Sequence, residues 1–499
     1  MPPSKAITIE IICTHIDEAV ETILESVKDY FFKDLDDIYF PLQIESEISD
    51  YLCELRDDLY CVIEYPYVDK VFRNSFYNYY SSKHYTYHRD CIRVSLFNTQ
   101  VKTEHFLNPN ETENLRQHYL GYFIVRPTTN SVIGRSTIDP KAFSDTDFKI
   151  IKCKMETNVA GIKFITTGFP HSSQDGETMK CAETSIWSIM EYFGSKYHEY
   201  LPTFPNEIHR TLKRFSYQRQ LPSTGLAMDQ ISFALREFGF GTKIYFSKPF
   251  MELKEIIDSY IESGIPILAG LQSGELGHVI IILGKQYCNF KWRDVPKSHF
   301  QSHGKEVSYY DASNIPNKYV VHDDNLIPYR IIDLAHPGQH YIDEEYKDYV
   351  IDGIVVPLYP KIYLESVVAK ELVFQILKDN SLGYDFSNNF VFRFYLTSSR
   401  SFKNHIVTLT EMNQTLRNNL QLSRMPKFIW CAEIYDTISF KTQQTAKGIV
   451  VLDATEANQD SIDALIFAGY PDRCIIVNEN NFVTLQQIFN NYKYFSNLN

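Results

Sequence analysis

No two cysteines of this sequence stand as a CxxC pair, and no run of about 18 apolar residues occurs anywhere in it. Nine cysteines are instead scattered from Cys13 to Cys474, which excludes a zinc ribbon and gives no disulfide framework. A reducing, cytoplasmic setting is the expectation, with most of these thiols acting as small buried hydrophobes. The missing apolar run leaves no transmembrane helix to expect. The N-terminal stretch MPPSKAITIEIICTHIDEAV is soon broken by His15, Asp17 and Glu18, and it lacks the basic and long apolar regions of a signal peptide. Positive charge is in short supply: 49 Lys+Arg face 62 Asp+Glu, a formal net charge of -13, and no basic arm occurs. Neither nucleic acid nor an anionic membrane is an expected partner. G-x-G-x-x-G, Walker A, HExxH and G-x-S-x-G are all missing. Neither repeats nor low-complexity linkers are found.

What the chain has is apolar mass. Hydrophobic residues make up 44% of it, with 35 Tyr and 34 Phe, enough for substantial cores. Its 499 residues suggest two to four domains at about 100–200 residues each. Three regions separate by pattern. Residues 1–150 read as mixed α/β, with a helix over about 15–30 (HIDEAVETILESVKDY) and strands at LYCVIEYPYV, IRVSLF and YLGYFIVRP. Residues 151–360 alternate strands (GIKFITTGFP, IPILAGLQ, GHVIIILG, KYVVHDD) with helices (CAETSIWSIMEYFG, MDQISFALREFGFG, MELKEIIDSYIESG) that each end at a glycine. Residues 361–499 read as α/β, with helices at YLESVVAKELVFQILKD and SIDALIFAG and strands at FVFRFYLTS, KFIWCAEIYD, KGIVVLDA and CIIV. The fold class expected is α+β.

The central region also holds a set of residues suited to nucleophilic chemistry. Cys181 opens a predicted helix, whose dipole and free N–H groups favour a thiolate. Gln174, in the polar loop before that helix, could donate to an oxyanion together with the Cys181 N–H. His278 follows Gly277 at the start of a buried strand, where an imidazole can exchange a proton with a thiol. Asp323 ends the next strand, placed to orient that imidazole. Asp324 competes for the role; alternation along a strand sends neighbours to opposite faces, so only one is expected to serve. His322 reads as a bystander. Arg126 and Arg135, in RPTTNSVIGRSTIDP, could hold an anion but read more simply as hairpin arginines with acidic partners. His84, His88 and Cys91 lie in an aromatic run that reads as packing, so no metal or other cofactor is expected.

This ordered set (Gln174, Cys181 on a helix, His278 opening a strand, Asp323 after the next) resembles the papain-like cysteine peptidase superfamily. The local runs are most similar to its bacterial, bacteriocin-leader-peptidase-like branch. The resemblance covers about residues 160–335; its loop from Gln174 to Cys181 is one residue longer than the family pattern, and the stretch from His278 to Asp323 is long. It implies hydrolysis of an amide bond in a peptide or protein substrate through a thioester. Cys181 would be the nucleophile, His278 the base, Asp323 its orienting partner and Gln174 the oxyanion donor. Three alternatives stand beside it: transfer of the acyl group to an amine, removal of a protein modifier, and a non-catalytic binding module. The flanking regions, and the segment 285–319, are expected to cover the cleft or admit a regulatory protein partner.

Overall fold

In the helix Ile16–Phe31, Ile16, Ala19, Ile23 and Val27 recur at three- and four-residue intervals and are all buried. They close one face of a six-stranded antiparallel sheet. Its order is Glu10–His15, Tyr60–Tyr67, Cys91–Phe97, Tyr119–Val125, Ile133–Ile138 and His171–Ser172. The computed structural model describes residues 9–32, 43–128, 131–215, 220–223, 225–302, 304–386, 389–457, 462–478 and 481–498. It is an α+β protein, 33% helical and 32% strand.

A second antiparallel sheet runs Lys243–Phe246, Val350–Val356, Ile267–Ser273, Leu276–Tyr287, Asn317–His322 and Arg330–Ile332. Lys149–Ile150 adds to it beside Gly284, where a Cβ would lie 2.3 Å from the Lys149 carbonyl oxygen. The helix Cys181–Lys196 packs on this sheet. It is buried almost all round, polar Glu183, Thr184, Ser185, Ser188 and Glu191 included beside Ala182, Ile186, Trp187, Ile189, Met190 and Phe193, as befits a helix enclosed by neighbours on several sides. It runs past Gly194, the expected stop. Glycine serves there for another reason: a Cβ would meet Pro202 at 2.7 Å.

The third sheet overturns two expectations. It runs Lys297–Ser302, Lys305–Asp311, Phe390–Ser398, Phe428–Tyr435, Gly448–Asp453, Leu465–Gly469, Cys474–Asn478 and Asn481–Leu485. The segment between His278 and Asp323 is therefore not a flap over a cleft: its second strand pairs in parallel with Phe390–Ser398. SIDALIFAG, expected as a helix, holds the strand Leu465–Gly469; pairing on both sides, with Gly448–Asp453 and Cys474–Asn478, overrides the local preference.

Charge joins the second and third sheets. Lys285, on the strand that carries His278, is buried with its Nζ 2.7 Å from Asp258 and 2.9 Å from Glu262. Glu262 also meets Arg393 at 2.7 Å, and Arg393 meets Glu433 at 2.8 Å. Tyr319 donates to Asp258 at 2.6 Å, and Tyr435 to Glu433 at 2.6 Å. One contiguous core, drawing residues from Ile16 to Leu498, runs through all three sheets.

Candidate active site

The loop before the Cys181 helix is built on Asp175. Its Oδ1 accepts from the N–H groups of Glu177 (3.0 Å), Thr178 (2.6 Å) and Met179 (2.8 Å), and its own N–H donates to the Met179 carbonyl at 3.0 Å. Lys180 is extended and the helix begins at Cys181, which stays partly exposed. The N-terminal sheet holds the same loop, because Arg126 donates to the carbonyls of Ser173 (3.2 Å) and Gln174 (2.8 Å). Arg126 thus anchors backbone rather than an acidic neighbour; Arg135 pairs with Asp69. Thr129 and Asn130, in the same motif, lie outside the described residues.

His278 stands opposite Leu271 across the sheet, and Leu271 opposite Ile351. Its Nε2 donates to Asp323 Oδ1 at 3.0 Å. The Cys181 side chain acts on the same ring and favours its charged form; with Nε2 committed to Asp323, Nδ1 is the nitrogen left to serve the thiol. Asp324 Oδ1 is also near, 3.7 Å from Nε2. The expectation that only one of these acids can reach the ring fails for a geometric reason. The strand ends at His322, so alternation no longer governs the two residues that follow. Asp323 is the closer partner.

Gln174 is tied to the residues that follow Asp323: its side-chain amide donates to Asn325 Oδ1 and its backbone N–H to the Asp324 carbonyl (3.3 Å), so that amide is engaged rather than free for an oxyanion. His88 packs against Tyr30 and Phe31, and Cys91 is buried in a strand.

Three histidines crowd this end of the sheet, and burial sorts them. Burial pushes His171 down to about 4 and His322 well below the usual histidine range. His278 is equally buried, but the Asp323 carboxylate, backed by Cys181 and Asp324, outweighs burial and holds it well above that range. Burial alone would raise Asp323; the charge on His278 and hydrogen bonds from His278 and Tyr341, with His340 Nε2 3.5 Å away, hold it far below the usual carboxylate range. Asp324 goes the other way. Burial and the adjacent Asp323 charge push it up to about 7, against the pull of His278 and Thr184. The Thr184 hydroxyl, within reach of the Lys180 (3.0 Å) and Cys181 (2.9 Å) carbonyls, also donates to Asp324 Oδ2 at 3.3 Å, which opposes the upward shift without cancelling it.

His278, Asp323 and Asp324 place ligand-type atoms within 4.8 Å of one another, a spacing that could hold a cation. In the geometry seen, His278 Nε2 and Asp323 Oδ1 of that group are hydrogen-bonded to each other at 3.0 Å.

A stability consequence follows from Asp324. Its folded-state pKa stands above the ordinary 3.8, so its contribution declines as pH rises from about 4 to about 7 and is flat above that. Asp324→Asn, which keeps the shape without the charge, should raise the urea midpoint more at about pH 8 than at about pH 5. The difference expected is on the order of 2–3 kcal/mol. Equal shifts at the two pH values would show that the acid is ionised in both.

Sequence reasoning missed the residues around Asp323. Tyr341 donates to Asp323 Oδ2, His340 Nε2 lies 3.5 Å from the same oxygen, and the Asn325 N–H donates to Oδ1 at 3.0 Å. Tyr349 lies nearly parallel over His278, with centroids 6.1 Å apart at 26°. The available signal was the density of His and Tyr in HPGQHYIDEEYKDYV, after KYVVHDD, the last of the expected central strands. No protein-family model matches this chain, and no curated protein matches it either.

Proposed function

We propose that this chain is a cysteine-dependent amide hydrolase built on a papain-like arrangement, acting on a peptide or protein. One observation carries the reading: a single buried imidazole is hydrogen-bonded to a buried carboxylate, and its charged form is favoured both by that carboxylate and by the side chain of a cysteine at a helix N-terminus. The Cys181 sulfur attacks the carbonyl carbon, and the proton held at His278 Nδ1 passes to the leaving nitrogen. The thioester left on Cys181 is then attacked by water, with His278 taking the water's proton. Asp323 keeps the ring in the required tautomer and orientation throughout. The Cys181 N–H, at the helix start, is the first oxyanion donor. Gln174 joins it by leaving Asn325.

Iodoacetamide near neutral pH, with each site followed by mass spectrometry, tests the nucleophile. Cys181 is expected to react at least tenfold faster than the other eight cysteines, and His278→Ala is expected to remove that advantage. Alkylation spread evenly over the cysteines would sink the proposal. A peptide library with Cys181→Ala as the blank then separates hydrolysis from transfer to an added amine.

A further inference from the structure

The segment from Asp333 to Tyr349 has no place in the mechanism so far. Yet it leaves the second sheet at the strand Arg330–Ile332 and returns to it at Val350–Val356, one residue before Ile351, the register position aligned with His278 through Leu271. Both ends are therefore held by the sheet that carries the imidazole. In between, the chain folds back on itself at Gly338, where a Cβ would lie 2.1 Å from the Tyr346 carbonyl oxygen and 2.9 Å from that of Lys347. This close approach brings three tyrosines together: Tyr341 and Tyr346 at 5.6 Å, Tyr346 and Tyr349 at 5.7 Å, Tyr341 and Tyr349 at 6.0 Å between centroids. Two of the rings face His278, Tyr349 nearly parallel and Tyr341 edge-on at 6.3 Å and 83°. Ile342, next in the chain, is 93% exposed, so the segment is a surface layer over a buried site.

We propose that this segment is a clamp on the candidate catalytic groups, with Tyr341 as the positioning residue that fixes the Asp323 carboxylate; the inference rests on the hydrolase reading above. Asp323 is 0% exposed, and each of its oxygens has a distinct set of donors. Oδ1 receives His278 Nε2 and the Asn325 N–H, both at 3.0 Å, while Oδ2 receives the Tyr341 hydroxyl, with His340 further off at 3.5 Å. A carboxylate held at both oxygens cannot turn about its own axis, so Oδ1 stays on Nε2. Without the Tyr341 hydroxyl, Oδ2 keeps only the long contact to His340, and the imidazole loses its fixed partner for part of the time. Orientation of a reacting group by such supporting bonds has effects of about 10–100-fold where it has been measured.

The experiment uses the full chain with Tyr341→Phe, which keeps the ring and removes the hydroxyl. The rate of Cys181 alkylation by iodoacetamide is followed against pH. The thiolate–imidazolium pair exists between the pH at which the thiol ionises and the pH at which the ring loses its proton. A wandering Asp323 stabilises that pair less, so the window should narrow from both sides, with the neutral-pH rate falling about tenfold. Gly338→Ala, which forces the fold-back apart without touching Asp323, should narrow it too. An unchanged window in Tyr341→Phe overturns the clamp. So does a wider one, which would mean that Tyr341 only drains charge from Asp323. A second readout separates this idea from the catalytic reading. In a Cys181→Ala background, the His278 ring is titrated by NMR with and without Tyr341→Phe. A lower midpoint in the variant supports the clamp even if Cys181 proves unreactive, and an unmoved midpoint rejects it even if Cys181 is the nucleophile.

Discussion

Asp323→Ala is expected to lower Cys181-dependent turnover by about 10²–10³-fold, and Asp323→Ala with Asp324→Ala by clearly more than the two single losses multiplied. The first loss follows from geometry, because the Nε2 proton of His278 loses its 3.0 Å acceptor and with it the preference for one tautomer. It falls short of the largest triad effects because Asp324 Oδ1 waits 3.7 Å from the same nitrogen. In the wild type the Asp323 charge is one of the two causes that keep Asp324 near a pKa of about 7. Removing Asp323 lets Asp324 ionise, and an ionised Asp324 is an acceptor for the ring. Alone, Asp324→Ala should cost less than tenfold. The pair therefore couples, and a double-mutant cycle on kcat/KM should give an interaction of about 1–2 kcal/mol. Asp323→Asn is the internal control: an amide oxygen still accepts from Nε2–H, so its loss should be smaller than that of alanine. A cycle that closes to zero would mean that Asp324 never substitutes.

The second large effect concerns folding. Arg393→Met is expected to destabilise the protein by about 3–5 kcal/mol. Arg393 is 1% exposed and is shared between Glu262 and Glu433. Among the described residues its removal leaves Glu433, 0% exposed, with only the hydroxyls of Tyr395 and Tyr435 as donors, and leaves Glu262 with Lys285 and the more distant Tyr287 hydroxyl at 3.4 Å. Against a total stability of about 5–15 kcal/mol, that is a large fraction. Adding Glu433→Gln should restore part of the loss, because the stranded charge is what is costly. Urea unfolding followed by circular dichroism reads both variants; a loss under about 1 kcal/mol for Arg393→Met would show that water or a moved side chain replaces the guanidinium.

Where local pattern determines structure, the sequence was readable. Ile16–Phe31 follows its apolar period, the Cys181 helix starts where its polar loop ends, and the strand at His278 follows its unbroken apolar run. Cys181, His278 and Asp323 could be placed together because each sits at the end of such an element. The failures share a different cause. Leu465–Gly469 is a strand because of two neighbours distant in sequence, and the 285–319 segment left the central region for a partner about 80 residues further on. Tyr341 and Tyr349 reach the imidazole only through the fold-back at Gly338, which no periodicity announces. Asp324 was judged by strand alternation one residue past the point where the strand stops.

The parallel pairing of Lys305–Asp311 with Phe390–Ser398 also sets an order of events at the ribosome. His278 and Asp323 are made well before the strand that the loop between them must join. At about 5–20 residues per second, the 390 − 311 = 79 residues from Asp311 to Phe390 take roughly 4–16 s to synthesise. Arg393 follows, and Asn497, whose amide donates to the Glu262 carbonyl at 2.9 Å, comes about 100 residues later still. Until then Lys285, a few residues along the strand from His278, lacks the far half of its ion network. A nascent chain carrying all of the candidate catalytic residues is thus still without the support of their strand, and the thiol meets a finished partner only after the segment through Arg393 and Asn497 has been made.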